Sequence, residues 1–136
     1  MIDFAQIKGL STASRFPKKN TVVIKEGDVD TRSMYIILQG EVRVVKNYGK
    51  VDQVLLTHLG PGDFFGEASL FLAKPRIASV VTSDDDTVLL EINHENVFDV
   101  IENNPKMLYG LIKALCARID DLNERVPLRT SMSSLT

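Results

Sequence analysis

Short runs of apolar and β-branched residues, each closed by a turn, fill the region from Thr21 to Ile92. The runs lie at residues 21–24, 34–38, 42–45, 51–59, 78–82 and 87–92, separated by glycines, polar residues or an acidic turn. Turn signals at intervals of about 8 to 12 residues are typical of β-sandwiches and jelly rolls. No helical pattern separates these runs, which disfavours a parallel sheet with crossover helices. The pattern therefore predicts a mainly β protein of the jelly-roll kind.

Helical spacing marks the two ends of the chain. Met1 to Leu10 are predicted to form a short amphipathic helix, and Asn93 is placed to cap a second helix. Asn103-Asn104 ends that helix, and Pro105 suits the first turn of the next one. We place the strands at about residues 14–92 and the two C-terminal helices at about 94–126. Residues 127–136 are rich in serine and threonine and are expected to be disordered.

The last helix carries an apolar stripe whose spacing alternates between four and three residues. Its members are Leu108, Ile112, Leu115, Ile119, Leu122 and Val126. This spacing is typical of a heptad seam, which favours a homodimer through paired helices. The same stripe would also serve a single helix that packs on its own strands. Both interpretations remain open at this point.

The composition of the chain excludes several classes of function. The 136 residues suit one domain, and the formal charge of −2 argues against nucleic-acid binding by this chain alone. Cys116 is the single cysteine, which excludes an internal disulfide, and the consecutive aspartates at 84–86 suit a solvated turn better than a metal loop. No stretch reaches the roughly 20 apolar residues of a membrane span. We expect a cytoplasmic protein without membrane insertion, metal site or cofactor.

One stretch, Phe65 to Val80, concentrates the candidate chemistry. It places Gly66 and Glu67 before a short apolar segment and Arg76 nine residues after the carboxylate. Unpaired backbone N–H groups at a helix start and an arginine fork can both bind an anion. The carboxylate would repel that anion, so it must accept hydrogen bonds from hydroxyl groups on the same ligand. Phosphate and sugar hydroxyls in one pocket indicate a nucleotide.

The same stretch resembles the phosphate-binding cassette of the cyclic-nucleotide-binding domain family, F-G-E-x-(A/S)-L followed by P-R-x-A-(S/T)-V. Upstream, E-G-D, L-x-G-x-V and L-G-P-G-D-F-F-G-E are similar to the glycine spacing of that family. The family includes regulators of the catabolite-activator type and protein kinase A regulatory subunits. The resemblance implies a double-stranded β-helix, a jelly-roll-like β-roll, with a short cassette helix and two C-terminal helices.

The resemblance also implies roles for individual residues. Arg76 would bind the exocyclic phosphate, Glu67 the ribose 2′-hydroxyl, and Ser69 would add a hydroxyl to the phosphate shell. Backbone N–H groups near Gly66, Glu67, Ala68, Ser69, Ile77 and Ala78 would share the anion. Members that prefer cGMP commonly carry threonine or serine where this chain has Ile77, so cAMP is favoured over cGMP. Leu122 and Asn123 align with lid positions over the purine.

These observations predict a regulatory module that binds a cyclic nucleotide and transmits binding through its C-terminal helices. His58 and His94 have no nucleophile or metal-ligand partner by spacing, so we predict no enzymatic activity. Two alternatives remain. The chain could be a degenerate β-roll that mediates dimerisation or protein interaction without nucleotide. It could also be the sensor half of a catabolite-activator-type transcription regulator that lacks its DNA-binding domain.

Overall fold

The computed structural model describes residues 13–125, which form eight strands and three helices. The strands are β1 (Ala13–Phe16), β2 (Val22–Ile24), β3 (Met34–Gln39), β4 (Val42–Lys46), β5 (Val54–Leu59), β6 (Phe64–Phe65), β7 (Ser79–Thr82) and β8 (Thr87–Ile92). The helices are α1 (Glu67–Leu72), α2 (Val97–Asn103) and α3 (Pro105–Arg125). The helix predicted at Met1 to Leu10 and the tail predicted at residues 127–136 lie outside the described residues.

The strands form two four-stranded sheets in which all neighbours are antiparallel. The first sheet has the order β1-β8-β3-β6 and the second the order β2-β7-β4-β5. The chain crosses repeatedly from one sheet to the other, so that strands distant in sequence become neighbours. This winding confirms the predicted β-roll with a cassette helix and two C-terminal helices.

The first sheet is buried on both faces. On β3, Met34 and Ile36 pack with residues of α2 and α3, whereas Ile37 packs against the second sheet. On β6, Phe64 faces the helices and Phe65 faces the second sheet. Successive residues of a strand point to opposite faces, so a sheet covered on both sides reads as a continuous apolar run. The molecule therefore has three layers: second sheet, first sheet and helices.

Three local differences separate the structure from the sequence-based expectation. β1 and β6 were not predicted, because β1 carries Ser14 and Arg15 and β6 has only two residues. β5 begins at Val54, after a turn that includes residues 50–53, and not at residue 51. α2 begins at Val97 and not at about residue 94. The Asn93 carboxamide oxygen accepts the backbone N–H groups of residues 95 and 96, which forms a turn before the helix.

The predicted stripe of α3 is divided between two faces. Of the stripe, Leu115 is half-buried against the core, beside Met107 and Leu111, which are buried there and do not belong to the stripe. This is the packing that a helix on its own β-roll requires. Leu108 is also half-buried. The stripe residues that remain exposed are Ile112, Ile119 and Leu122. Val126 lies outside the described residues, and pairing between two copies stays a prediction. No helix among residues 13–125 is long and apolar enough to cross a membrane.

Candidate functional site

The cassette, residues 66–78, carries the chain from the first sheet to the second. β6 ends at Phe65 on the edge of the first sheet, and β7 begins at Ser79 in the second. A cavity of about 590 Å³ opens between the cassette, the second sheet and α3. All the ligand-binding positions predicted from the sequence line this cavity: Gly66, Glu67, Ala68, Ser69, Arg76, Ile77 and Ala78. The fold therefore brings them to one place.

Gly66 allows two backbone segments and a side chain to meet at the start of α1. Its φ of +86° lies in the left-handed region, which glycine adopts without strain. A Cβ atom at this position would lie 2.8 Å from Arg76 Nη1 and 2.8 Å from the Ser33 carbonyl oxygen. The glycine is therefore required by both its conformation and its contacts.

Arg76 is buried, with only 5% of its surface exposed. Nη2 donates to the Ser33 carbonyl oxygen at 2.7 Å, Nη1 to the Gly66 carbonyl oxygen at 3.2 Å, and Nε to Thr31 Oγ1 at 3.3 Å. A guanidinium has five N–H bonds, so these contacts leave one N–H on each terminal nitrogen. The arginine is thus fixed in place with donor capacity for an anion in the cavity.

The charge of Arg76 is maintained despite its burial. Burial lowers the pKa of its guanidinium, and Tyr35, Asp28 and Glu67 oppose that effect. Arginine has the most basic side chain among the amino acids, so the group stays cationic at neutral pH although burial lowers its pKa. Tyr35 stacks on Phe65 with ring centroids 5.3 Å apart, and burial followed by the charge of Glu91 raises the pKa of its phenol. A buried cation whose direct hydrogen-bond acceptors are neutral oxygens favours an anionic ligand.

Glu67 faces a second guanidinium that the sequence analysis missed. Arg118 of α3 donates from Nη1 to Glu67 Oε1 at 3.1 Å and from Nη2 to the Phe64 carbonyl oxygen at 3.0 Å. Its guanidinium carbon also lies 4.0 Å from the centre of the Phe64 ring, a cation–π contact. Arg118 therefore connects α3 directly to the cassette and to the strand before it.

A signal for Arg118 was present in the chain. Leu111, Ala114 and Leu115 pack on the core, and position 118 follows them at helical spacing on the same face. An arginine on the inner face of an amphipathic helix needs a partner inside the protein. The heptad spacing describes only the apolar positions of the neighbouring stripe, so it does not identify a polar residue on the inner face.

The remaining predicted residues differ in how they meet the cavity. Ser69 is buried, and its hydroxyl donates to the Lys74 carbonyl oxygen at 2.8 Å, which uses its single proton. Donation to a phosphate, which stays a prediction, would require that bond to break. Ile77 is 74% exposed at the cavity mouth. The predicted lid residues Leu122 and Asn123 are not among the lining residues, and α3 contributes Arg118 instead.

The cavity has two chemically different regions. Glu67, Arg76, Lys74 and Arg118 supply charges at the cassette side. The second sheet and the end of the cassette supply an apolar wall with one hydroxyl, formed by Ile24, Val44, Thr57, Leu59, Ile77 and Val80. Such a cavity suits a ligand with an anionic group, hydroxyl groups and a flat apolar part.

Removing Arg118 is expected to loosen α3. In Arg118→Ala, amide hydrogen exchange in α3 around residue 118 should become about tenfold faster, because the helix loses its hydrogen bonds to Glu67 and Phe64. Hydrogen-exchange mass spectrometry measures this effect. Lys113→Ala is the matched control, since Lys113 is exposed on the same helix. Equal exchange in the two variants would show that Arg118 does not hold α3.

Comparison with known proteins agrees with this geometry. Residues 15–104 match the model of the cyclic nucleotide-binding domain. The cAMP-activated global transcriptional regulator CRP of Haemophilus influenzae is 28% identical over 112 residues, which cover 82% of this chain and 49% of that protein. The chain thus spans about half the length of this curated relative.

Solved structures show the same relationship. The catabolite activator protein of Thermus thermophilus matches with a TM-score of 0.68 and 27% identity, covering 85% of this chain and 54% of that one. The EAL enzyme Bd1971 matches with a TM-score of 0.60 and 28% identity, covering 82% of this chain and 96% of that one. The β-roll, the cassette that lines its cavity and the match over residues 15–104 lead to one conclusion: this chain belongs to the cyclic nucleotide-binding domain family.

Proposed function

We propose that this chain is a regulatory module that binds a cyclic nucleotide, with cAMP preferred over cGMP. The observation that carries the proposal is the buried Arg76, which keeps one unused N–H on each terminal nitrogen beside Glu67 in a single cavity. The exocyclic phosphate oxygens accept these two N–H groups, and Glu67 accepts the ribose 2′-hydroxyl. Backbone N–H groups of the cassette, at positions 66–69 and 77–78, complete the phosphate shell.

The role is sensing and not catalysis. The ionisable side chains lining the cavity are one carboxylate and three cations, and the one carboxylate is paired with Arg118. The hydroxyls of Ser69 and Thr57 both donate to backbone carbonyls, so among the residues that line the cavity no hydroxyl is hydrogen-bonded to a base. The described residues that line the cavity therefore supply binding energy and orientation to the ligand, with no reacting group among them.

Ligand binding is coupled to α3 through Glu67. Arg118 donates to Glu67 Oε1, and a ribose hydroxyl that donates to the same carboxylate would compete with this contact. A ligand shifts a conformational equilibrium only by its different affinity for the two states. The Glu67–Arg118 pair is the contact whose energy differs between them, so α3 is the element that reports binding.

A thermal-shift screen with cyclic mononucleotides and cyclic dinucleotides tests the proposed ligand class. A ligand that binds only the folded state raises the melting temperature in proportion to the logarithm of its concentration, once above its dissociation constant. We expect cAMP to give the largest shift and cGMP a smaller one. A shift with cyclic dinucleotides and none with cAMP would contradict the proposal.

The preference for cAMP depends on the residue after Arg76. Ile77 lines the cavity and offers no side-chain hydrogen bond to a guanine. Ile77→Thr adds a hydroxyl there, and we expect it to raise the affinity for cGMP relative to cAMP by about tenfold, the value of one good hydrogen bond. Competition titration with both nucleotides measures the ratio. Ile77→Val, which shortens the side chain without a hydroxyl, should leave the ratio unchanged.

We also propose that two copies pair through α3, because the exposed apolar residues Ile112, Ile119 and Leu122 follow one another at heptad-like spacing. Ile119→Asp should convert a dimer into a monomer in sedimentation velocity, since it buries a charge at the seam. Lys113→Asp, at an exposed position of the same helix, should leave the dimer intact. A wild-type protein that sediments as a monomer would refute the pairing.

A further inference from the structure

The loop between β2 and β3 holds Arg76 from behind the cavity. The backbone N–H of Arg76 donates to the Asp28 carbonyl oxygen at 3.0 Å, and the N–H of Gly27 donates to the Arg76 carbonyl oxygen at 2.8 Å. These two bonds fix the loop and the arginine to each other along the main chain. The side chains of the loop therefore have a defined position relative to the guanidinium.

A second set of contacts joins the side chains. Thr31 Oγ1 donates to Asp28 Oδ2 at 3.0 Å and accepts from Arg76 Nε at 3.3 Å. Oδ1 of the same carboxylate accepts the backbone N–H of Asp30 at 2.7 Å and that of Thr31 at 3.4 Å. The Asp28 carboxylate is thus held by its own loop, and it reaches the Arg76 guanidinium only through the Thr31 hydroxyl.

We propose that Thr31 is a positioning residue for Arg76, whose hydroxyl connects the negative charge of Asp28 to Nε and so orients the guanidinium fork toward the ligand phosphate. The inference rests on the proposed function. A hydroxyl has one proton and two lone pairs. The Thr31 hydroxyl donates its one hydrogen bond to the Asp28 carboxylate, so only its lone pairs face Arg76. The adjacent anion makes these lone pairs better acceptors.

The geometry explains why this contact decides orientation. The carbonyl oxygens of Ser33 and Gly66 each bind one terminal nitrogen, and Thr31 binds the remaining nitrogen. Because each of the three nitrogens has an acceptor, the orientation of the guanidinium is fixed, and so are the directions of its two unused N–H groups. The charge of Asp28 persists at neutral pH, because the Asp30 backbone N–H and then the Thr31 hydroxyl hold its pKa below the ordinary value.

Calorimetric titration with cAMP tests the contribution to binding. We expect Thr31→Val to weaken cAMP binding roughly threefold to tenfold, the range of one intramolecular hydrogen bond. Thr31→Ser should restore it. Asp28→Asn should weaken binding, and Asp28→Asn combined with Thr31→Val should be no weaker than Thr31→Val alone, because both changes break the same connection. Asp30→Asn removes the same charge from the same loop without a side-chain contact and should stay near wild type.

A measurement without nucleotide separates this proposal from the proposed function. The Arg76 Nε–H signal in a ¹⁵N–¹H correlation spectrum should exchange slowly with water in the wild type and in Thr31→Ser. It should exchange at least about tenfold faster in Thr31→Val. If wild type fails to bind cAMP while this difference is seen, the proposed ligand is wrong and the positioning role stands. Equal Nε–H exchange in Thr31→Val and wild type, or multiplying losses of affinity in the double variant, would overturn the role of Thr31.

Discussion

Replacing Arg76 with lysine lowers the affinity for cAMP by at least about a hundredfold, since about 3 kcal/mol of charge-assisted hydrogen bonding is lost. A lysine retains the charge but cannot contact Ser33, Gly66 and Thr31 while also presenting two parallel N–H groups. Isothermal titration calorimetry with cAMP on the wild type and Arg76→Lys measures the loss. The effect is expected to be the largest of any conservative change in the cavity.

Arg15→Lys is the control for this substitution. Arg15 is an exposed arginine on β1 that lies 3.6 Å from Asp86, so the same chemical change occurs away from the cavity. Its affinity for cAMP should equal that of the wild type. If Arg76→Lys also binds cAMP as tightly as the wild type, the anion is bound elsewhere and the assignment of the phosphate site is wrong.

Gly66→Ala is expected to damage both folding and binding. The left-handed conformation costs an alanine about 1 to 2 kcal/mol, and the added Cβ must also displace the Ser33 carbonyl oxygen or Arg76 Nη1. The free energy of unfolding should fall by about 2 to 4 kcal/mol in total. Urea denaturation measures this change, and titration of the folded variant should find cAMP binding largely lost because Arg76 is pushed aside.

Gly49→Ala separates conformational strain from the steric contact. Gly49 has a φ of +80°, close to that of Gly66, but a Cβ there would meet nothing within 4 Å. This variant should lose only the strain contribution, about 1 to 2 kcal/mol, and bind cAMP normally. If the free energy of unfolding falls by the same amount in both alanine variants and both bind cAMP, the close approach of Gly66 to Arg76 does not contribute to binding.

Much of the β-roll could be predicted from local pattern. β8 lies at the residues expected, and β2, β3 and β7 begin or end within one residue of the expected positions, because each is a compact β-branched or apolar run between turn residues. β6 could not be found in this way. It consists of Phe64 and Phe65, and it pairs with β3 only once the roll has brought residues 35 and 36 beside it.

The residues of the site likewise differ in whether local sequence could predict that they lie together. The cassette residues are close together in sequence, so their shared cavity could be expected from Glu67 and Arg76 alone. Arg118 is 51 residues from the carboxylate it binds, and only the packing of α3 brings the two together. Thr31 is 45 residues from Arg76 and is likewise placed by the loop that β2 and β3 hold. Contacts over such separations follow from topology, which single-chain periodicity does not encode.

The apolar stripe of α3 shows a different limit of prediction from sequence. A spacing of four and three residues is compatible with packing on the protein's own sheet and with pairing between helices. The structure uses part of the stripe for each face: Leu115 packs inward, whereas Ile112 and Ile119 face solvent. Burial in three dimensions was needed to assign each residue, because both uses have nearly the same period.

A crystal structure of the protein grown with cAMP tests the central claim most directly. We predict one nucleotide in the cavity between the cassette and α3, with its exocyclic phosphate oxygens within hydrogen-bond distance of both terminal nitrogens of Arg76. The ribose 2′-hydroxyl should lie within hydrogen-bond distance of the Glu67 carboxylate. A nucleotide bound at another surface, or held in this cavity with its phosphate away from Arg76, would contradict the account.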